Sequence, residues 1–211
     1  VIYNDVLREA ELNADDIDLV GVTSGPGLIG SVLVGLCFAK GFCLARGIPL
    51  IGVNHVEAHA MSIFLEHEVE FPFVALVVSG GHTIILSFDA PCSFRVVGST
   101  LDDAAGEAFD KIAKFLGLGY PGGRIIEELA RKGSPDHVAF PRPMMDDVRC
   151  NFSFSGLKTA FITYAKKHTV DGSNISDVLA SFQEAVCDVL VSKTFKAARQ
   201  SNIKRIVVGG G

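Results

Sequence analysis

The segment Pro49-Leu50-Ile51-Gly52-Val53-Asn54-His55-Val56-Glu57-Ala58-His59-Ala60 joins an apolar run to a proline-free stretch that continues to residue 66. The apolar run predicts a strand, and the stretch after it predicts a helix. Asn54 is a suitable N-cap, because its side-chain oxygen can accept hydrogen bonds from the first free N–H groups of a helix. His55 and His59 then lie one turn apart on one helix face.

Two imidazoles at this spacing can bind one transition-metal ion, but a complete site needs more ligands. The same pattern also fits two partly exposed helical histidines without a metal. The pair is therefore a metal-site hypothesis that other parts of the chain have to support.

Composition limits the kind of protein and its partners. Of 211 residues, 48% are hydrophobic and 20% charged, so one large or two small domains with a sizeable core can form. No long uncharged apolar run is present, so no membrane partner is predicted. The five cysteines form no C-x-x-C pair, which is typical of reduced thiols in a cytoplasmic protein. With a net charge of −5, contact with nucleic acid would need a local basic patch or a partner protein.

The glycines at residues 25–30 lie between a predicted buried strand, residues 17–23, and a predicted apolar helix, residues 31–46. Their G-x-G-x-x-G spacing is that of dinucleotide-binding turns. Such sites also place an acidic residue at the end of the next strand to bind the ribose, and here Asn54-His55 stands there. A tight turn with close helix–strand packing explains the glycines more simply.

The acidic residues at 66–70 predict a boundary between two domains, residues 1–70 and 71–211. Three strands follow at residues 73–78, 83–88 and 93–97, and their short connections predict an antiparallel meander. The first turn, Ser79-Gly80-Gly81-His82, could direct backbone N–H groups at an anion. An ordinary Gly-Gly hairpin would have the same sequence.

Four carboxylates lie between residues 102 and 110, before and within a predicted helix. Asp102 and Asp103 are explained as acids that complement the helix dipole. Asp110 lies further in, where capping does not explain it. Tyr120-Pro121-Gly122-Gly123 then opens another helix, whose N-terminus offers a second anion contact.

In the last third of the chain, Ser155 is a candidate N-cap, and residues 176–200 predict a long helix with an apolar stripe facing a core. Residues 205–208 predict a buried strand, followed by a glycine turn at 209–211. Because such a turn normally leads into a helix, we expect the chain to be the middle of a longer protein.

Together, five segments in order resemble the bacterial type of the tRNA adenosine threonylcarbamoyltransferase family (TsaD), once described as glycoproteases. The similarity covers essentially the whole chain. The segments are Asn54-His55 through His59, Val78-Ser79-Gly80-Gly81-His82-Thr83, Asp102 through Lys111, Tyr120-Pro121-Gly122-Gly123, and Phe152-Ser153-Phe154-Ser155-Gly156-Leu157-Lys158.

The resemblance implies an α/β actin-like ATPase superfold with two ribonuclease-H-like halves, incomplete in this chain. It implies transfer of a threonylcarbamoyl group from threonylcarbamoyl-adenylate to the exocyclic amine of the adenosine beside the anticodon, in tRNAs that read codons beginning with adenine. AMP is released. The implied partners are an ATP- or AMP-type nucleotide, tRNA, a paralogous actin-like subunit and a small ATPase of the same modification complex.

The resemblance also implies roles for residues. His55 and His59 would bind one divalent ion, iron or zinc. The adenylate would be bound by Val77, Val78, Ser79, Gly80 and Gly81, and its nucleoside by Asp110 and Gly123. No side chain is named as a catalytic base, because an acyl adenylate is already activated. The family's third metal ligand and a substrate-binding asparagine lie outside this sequence, so we expect this chain alone to bind metal weakly and to leave tRNA unmodified.

Two other functions remain as alternatives. A metallopeptidase needs a glutamate inside H-E-x-x-H, whereas Val56 follows His55 and Glu57 lies at a different helical angle. A non-catalytic nucleotide-binding scaffold would be expected to lose its site residues, yet the histidines, the glycine turn and Asp110 are all present.

Overall fold

The computed structural model describes residues 2–210, which fall into two compact units, one up to Ala58 and one from His59. The sequence predicted a boundary after residue 70. The division lies earlier, inside a helix, because the residues that follow this helix contact the strands of the second unit.

The first unit contains a parallel pair of strands with a long helix between them in sequence. Val20 lies opposite Leu50 in the pair, and the long helix contacts both strands. This helix ends at Gly47, whose φ of 68° is the left-handed conformation in which glycine is favoured. The elements are α1 (Ile2–Glu9), a 3₁₀ turn (Ala14–Asp16), β1 (Val20–Gly25), α2 (Ile29–Arg46), β2 (Leu50–Asn54) and α3 (His55–Met61).

The prediction of a buried first strand is wrong. β1 begins only at Val20, and none of its residues is buried. On the neighbouring strand Ile51 is 51% exposed, and on α2 Val34 is 75% exposed. A continuous apolar run indicates burial on both faces of a sheet, but this sheet has two strands and little covering within its own unit.

α2 is, by length and composition alone, apolar enough to cross a membrane, a criterion that core helices of soluble proteins also meet. The prediction that no such stretch is present is wrong by this criterion, since residues 19–39 carry no charged side chain and α2 contains only two, Lys40 and Arg46. In the structure α2 packs on β1 and buries Ala39 and Cys43.

The second unit is built on a four-stranded sheet of order β5-β4-β3-β6. The first three strands form the predicted antiparallel meander, and β6 pairs in parallel with the other edge of β3. This is the strand order of a ribonuclease-H-like half, so the predicted α/β, actin-like fold class is confirmed. The elements are a 3₁₀ turn (Ser62–Leu65), β3 (Phe73–Val78), β4 (Thr83–Ala90), β5 (Ser93–Ser99), α4 (Ala105–Phe115), α5 (Gly122–Ala130), α6 (Ser155–Lys167), α7 (Ile175–Gln200) and β6 (Ile206–Gly210).

The core of this unit lies between the sheet and the helices α4 to α7. The predicted apolar stripe of α7 is buried there, with Leu190 partly buried. Phe182, at its centre, contacts the rings of Phe109, Phe140 and Phe161 at centroid distances of 5.2, 6.4 and 5.5 Å. Aromatic packing of this kind fixes the helices against one another and so positions the loops at their ends.

The predicted glycine turn after the last strand is wrong for the residues that the structure describes. β6 continues through Gly209 and Gly210, which pair with Val77 and Val78. Gly211 lies outside the described residues. A Cβ on Gly210 would lie 1.8 Å from the Val78 oxygen, and its φ is 135°, so this strand end approaches β3 too closely for a side chain.

Helix α6 is capped from a distant part of the sequence. Ser155 is its first residue rather than its N-cap, and the preceding Phe154 has no capping side chain. The Asp102 carboxylate instead accepts hydrogen bonds from the amides of Phe154 at 2.8 Å and Ser155 at 3.2 Å, and from Ser153 Oγ at 2.6 Å. Both predictions, an Asp102 that serves the dipole of its own helix and a capping Ser155, are therefore wrong.

We expect Asp102→Ala to lower the free energy of unfolding by about 1–2 kcal/mol, the usual cost of losing an N-cap. Ser155→Ala, the matched control at the same helix end, should change stability by less than about 0.5 kcal/mol. Urea unfolding of the two variants measures both effects. Equal losses would contradict the assignment of the cap to Asp102.

Candidate functional site

A cavity of about 460 Å³ lies in the second unit, where the β3–β4 turn meets the N-termini of α4 and α5 and the middle of α7. It contains five of the predicted binding residues, namely Val78, Ser79, Gly80, Asp110 and Gly123. The other two are not in its lining, since Val77 is fully buried in β3 and Gly81 is exposed on the turn. The remaining lining residues are Ala105, Gly106, Phe109, Tyr120, Pro121, Arg124, Val186, Cys187 and Leu190.

The β3–β4 turn is closed by its two end residues. The Ser79 amide donates to the His82 carbonyl at 2.8 Å, and the His82 amide donates to Ser79 Oγ at 3.1 Å. The amides of Gly80 and Gly81 take no part in these closing bonds. The turn can therefore present N–H groups to an anion, as predicted from the glycine pair.

Gly106 lets the N-terminus of α4 lie directly against this turn. A Cβ at this position would lie 2.6 Å from the Ser79 oxygen and 2.8 Å from Gly80 Cα. Next to it, the Ala105 amide donates to Thr83 Oγ1 at 2.8 Å, which links the helix start to β4. Sequence reasoning missed both Gly106 and Thr83, because their contacts are between segments more than 20 residues apart.

Asp110 has a capping role that the sequence did not reveal. Its Oδ1 accepts a hydrogen bond of 2.7 Å from the amide of Gly122, the first residue of α5. The prediction that capping does not explain this carboxylate is therefore wrong. Asp110 nevertheless lines the cavity, so the group that orders the α5 N-terminus is also available to a ligand there.

The two glycines at the start of α5, Gly122 and Gly123, have different structural roles. A Cβ on Gly122 would lie 2.6 Å from Ala113 Cβ and 2.8 Å from Asp110 Cα, so this glycine permits α4 and α5 to touch. A Cβ on Gly123 would meet no atom within 4 Å, and this residue borders the cavity. Gly123 thus offers a backbone that a ligand can approach closely.

The predicted N-cap of α3 is confirmed. Asn54 Oδ1 accepts hydrogen bonds from the amides of Val56 at 2.9 Å and Glu57 at 3.1 Å. The helix buries Val56 and Ala60, while His55 and His59 are both partly exposed on it. It is shorter than predicted, because the chain tightens into a 3₁₀ turn after Met61.

The imidazole nitrogens of His55 and His59 are suitable ligands for iron or zinc. They supply two ligands, whereas a complete site needs more. Within residues 2–210 there is no group of three or more His, Cys, Asp or Glu side chains that could hold a metal ion. The backbone of His59 lies against β6, since a Cβ on Gly209 would be 2.7 Å from the His59 carbonyl oxygen. Gly209 pairs with Val77, so His59 lies near the end of the sheet that carries the glycine turn.

A sequence model described as tRNA N6-adenosine threonylcarbamoyltransferase matches residues 1–211. The chain belongs to this threonylcarbamoyltransferase family. It is 53% identical to the transferase of Geotalea uraniireducens and 54% identical to that of Geobacter sulfurreducens. In both cases the match covers all of this chain and 62% of the relative, so the chain spans less than two thirds of the length of these curated relatives.

Solved structures show weaker similarity to this member of the threonylcarbamoyltransferase family. YeaZ from Pseudomonas aeruginosa matches with a TM-score of 0.36 and 20% identity, over 46% of this chain and 47% of that one. Component A of (R)-2-hydroxyglutaryl-CoA dehydratase from Acidaminococcus fermentans matches with a TM-score of 0.45 and 12% identity, over 98% and 75% of the two chains.

A second pocket, of about 560 Å³, lies next to the first cavity, and Asp110 and Tyr120 line both. On its α4 side Lys111 lies 2.7 Å from Asp103 and 2.8 Å from Glu107, and these hydrogen bonds raise the pKa of the lysine. Burial would raise the pKa of Asp103, but Lys111 and Lys158 together hold it below its ordinary value. In this threonylcarbamoyltransferase homologue the ion pairs therefore join α4 to α6 beside the candidate site.

Proposed function

We propose that the protein transfers a threonylcarbamoyl group from threonylcarbamoyl-adenylate to the exocyclic amine of the adenosine beside the anticodon, in tRNAs that read codons beginning with adenine. The observation that supports this most directly is that Gly80, Asp110 and Gly123, predicted from separate motifs, line one cavity in a chain of this family. The proposed setting is the cytoplasm, with a paralogous actin-like subunit and a small ATPase as partners.

The chain's own groups suit the binding of an acyl adenylate. Backbone N–H groups of the Gly80-Gly81 turn and of the α5 N-terminus would donate to the phosphate. The Asp110 carboxylate would accept hydrogen bonds from the ribose hydroxyls while it holds Gly122. Because the acyl group is already activated, the main role of these residues would be to bind the adenylate and to orient it for transfer.

We further propose that His55 and His59 hold one divalent ion, iron or zinc. When bound, such an ion supplies a Lewis acid that polarises the carbamoyl oxygen. The support is the one-turn spacing on α3 and the separation of both imidazoles from the buried pair Val56 and Ala60.

The proposed function is tested first by calorimetry of this chain with AMP, for which saturable binding with one site is expected. Transfer is then assayed in a protein that contains these residues and spans the relatives' full length, with unmodified tRNA, threonylcarbamoyl-adenylate and the proposed partners. The tRNA is then digested to nucleosides, which are separated by chromatography and identified by mass spectrometry. Absence of threonylcarbamoyl-adenosine would contradict the proposal.

The metal proposal predicts that replacing both His55 and His59 by alanine removes divalent-ion binding without unfolding the chain, because neither imidazole is part of the buried helix face. Zinc titration followed by metal analysis measures the loss, and circular dichroism checks the fold. The matched control replaces two exposed histidines elsewhere, His67 and His137. A double α3 variant that binds as much zinc as the control would contradict the assignment.

A further inference from the structure

Most cations of this acidic chain are paired with carboxylates or hydrogen-bonded to the backbone in the described residues. In the part of the chain that the structure describes, ten of the 19 lysines and arginines lie within 4.0 Å of a carboxylate. Two more, Lys193 and Lys196, donate to the backbone carbonyls of Asp147 and Arg149. Few lysines and arginines are therefore left to bind a partner, and the positions of these few indicate where an anionic partner can bind.

Lys166 and Lys167 are the one adjacent pair among the remaining cations in residues 2–210, and both are exposed. They end α6, which contains no acidic residue, and His168 follows them. The next acid along the chain, Asp171, accepts hydrogen bonds from the amide and the hydroxyl of Ser173 at 2.9 and 2.6 Å and keeps its negative charge four residues beyond the lysine pair. The last turn of α6 thus forms a positive surface of two exposed lysines, with no acidic residue in the same helix, on a protein of net charge −5.

A groove of about 510 Å³ leads to this positive surface. One wall is the segment 138–141, and the other is the face of α6 that carries Thr159, Thr163, Tyr164 and Lys167. None of the lining residues is acidic. Tyr164 and His168 stack with their ring centroids 4.5 Å apart at the same end, which gives the groove an aromatic surface. Hydroxyl groups, cations and a flat aromatic pair are the groups that contact RNA backbone and bases.

We propose that this α6 groove, with Lys166 and Lys167, binds the tRNA phosphate backbone away from the nucleotide cavity. The inference rests on the proposed function, which makes tRNA the polyanion that the protein has to hold. Because the protein is acidic overall, any contact with nucleic acid needs a local basic patch, and Lys166 and Lys167 provide one. No residue of the groove lines the nucleotide cavity, so the two sites can be altered separately.

Lysines in the last turn of a helix also favour its dipole, and that role alone would explain their position. The two roles differ in what they change. Loss of a dipole contribution lowers stability whether or not RNA is present. Loss of phosphate contacts lowers the affinity for RNA and its dependence on salt, without a matching change in stability.

The test is fluorescence anisotropy of a labelled, unmodified tRNA transcript titrated with this chain at several salt concentrations. For the double variant Lys166→Ala, Lys167→Ala we expect an affinity roughly tenfold lower at low salt, and a slope of log K against log salt reduced by about 1.4–1.8. Thr163→Glu, which places a carboxylate in the groove, should weaken binding in the same direction. AMP binding, measured by calorimetry on the same variants, should be unchanged.

The matched control is the double variant Lys132→Ala, Lys204→Ala, which removes the same charge from exposed lysines outside the groove. An equal loss of affinity in this control, or no tRNA binding by the unaltered chain at low salt, would overturn the proposal. Competition by polyglutamate as strong as by polyuridylate of equal charge would overturn it in favour of an acidic protein partner. A chain that binds tRNA through the groove but not AMP would instead contradict the proposed transferase function.

Discussion

Gly106→Ala is expected to reduce the affinity for AMP at least tenfold and to destabilise the second unit. Alanine is favoured over glycine inside a helix by about 1 kcal/mol, so the substitution helps α4 locally. The new Cβ, however, would lie 2.6 Å from the Ser79 oxygen and 2.9 Å from the Gly80 amide nitrogen. Since these are backbone atoms, the turn itself has to move, and overpacking of this kind typically costs about 1–3 kcal/mol.

Calorimetry with AMP measures the affinity, and urea unfolding measures the stability. Gly81→Ala is the matched control on the same turn, because a Cβ there meets no atom within 4 Å. We expect this control to retain stability within about 0.5 kcal/mol. Normal AMP binding by Gly106→Ala would show that the position of the turn against α4 does not matter for the site.

Asp110→Ala is expected to weaken AMP binding by about 1.5–3 kcal/mol, the usual value of a hydrogen bond to a charged group. It should also cost about 0.5–2 kcal/mol of stability, because the Gly122 amide loses its acceptor and α5 loses its cap. The second effect could disturb Gly123 and so weaken binding indirectly. Asp110→Ala alone therefore cannot separate the two roles.

Asp110→Asn separates them, because the amide oxygen can still accept the hydrogen bond from Gly122 while the charge is lost. We expect this variant to keep most of the stability and to lose a large part of the affinity for AMP. If Asp110→Asn binds AMP as well as the unaltered chain does, the carboxylate serves α5 alone and is not a nucleotide ligand.

Elements governed by neighbouring residues were predictable. The Asn54 cap joins groups two and three residues apart, and the meander of β3, β4 and β5 follows from short connections between apolar runs. The apolar stripe of α7 has the helical period and is buried as expected. In these cases the information lies within one turn or one hairpin, so local physical chemistry is sufficient.

Contacts between distant segments were not predictable from single residues. Asp102 caps a helix that begins 53 positions later, and Asp110 caps the helix that follows its own. Both carboxylates carry the sequence pattern of ordinary helical acids, so their partners became apparent only from the packing of α4 against α5 and α6. The packing of α4 against α5 also explains why Gly122 must lack a side chain, and the contact of α4 with the β3–β4 turn explains Gly106.

The sequence by itself determined the family, the α/β class, the capped histidine helix and five of the residues that line the candidate nucleotide site. Only the tertiary structure decided that Gly80, Asp110 and Gly123 line a single cavity, that Gly209 and Gly210 extend β6, and which lysines lack a carboxylate. The physical reason is the distance along the sequence over which each interaction acts. Periodicity and caps act within a few residues, whereas a cavity, a parallel strand pair and an ion pair depend on which distant segments the packed core brings together.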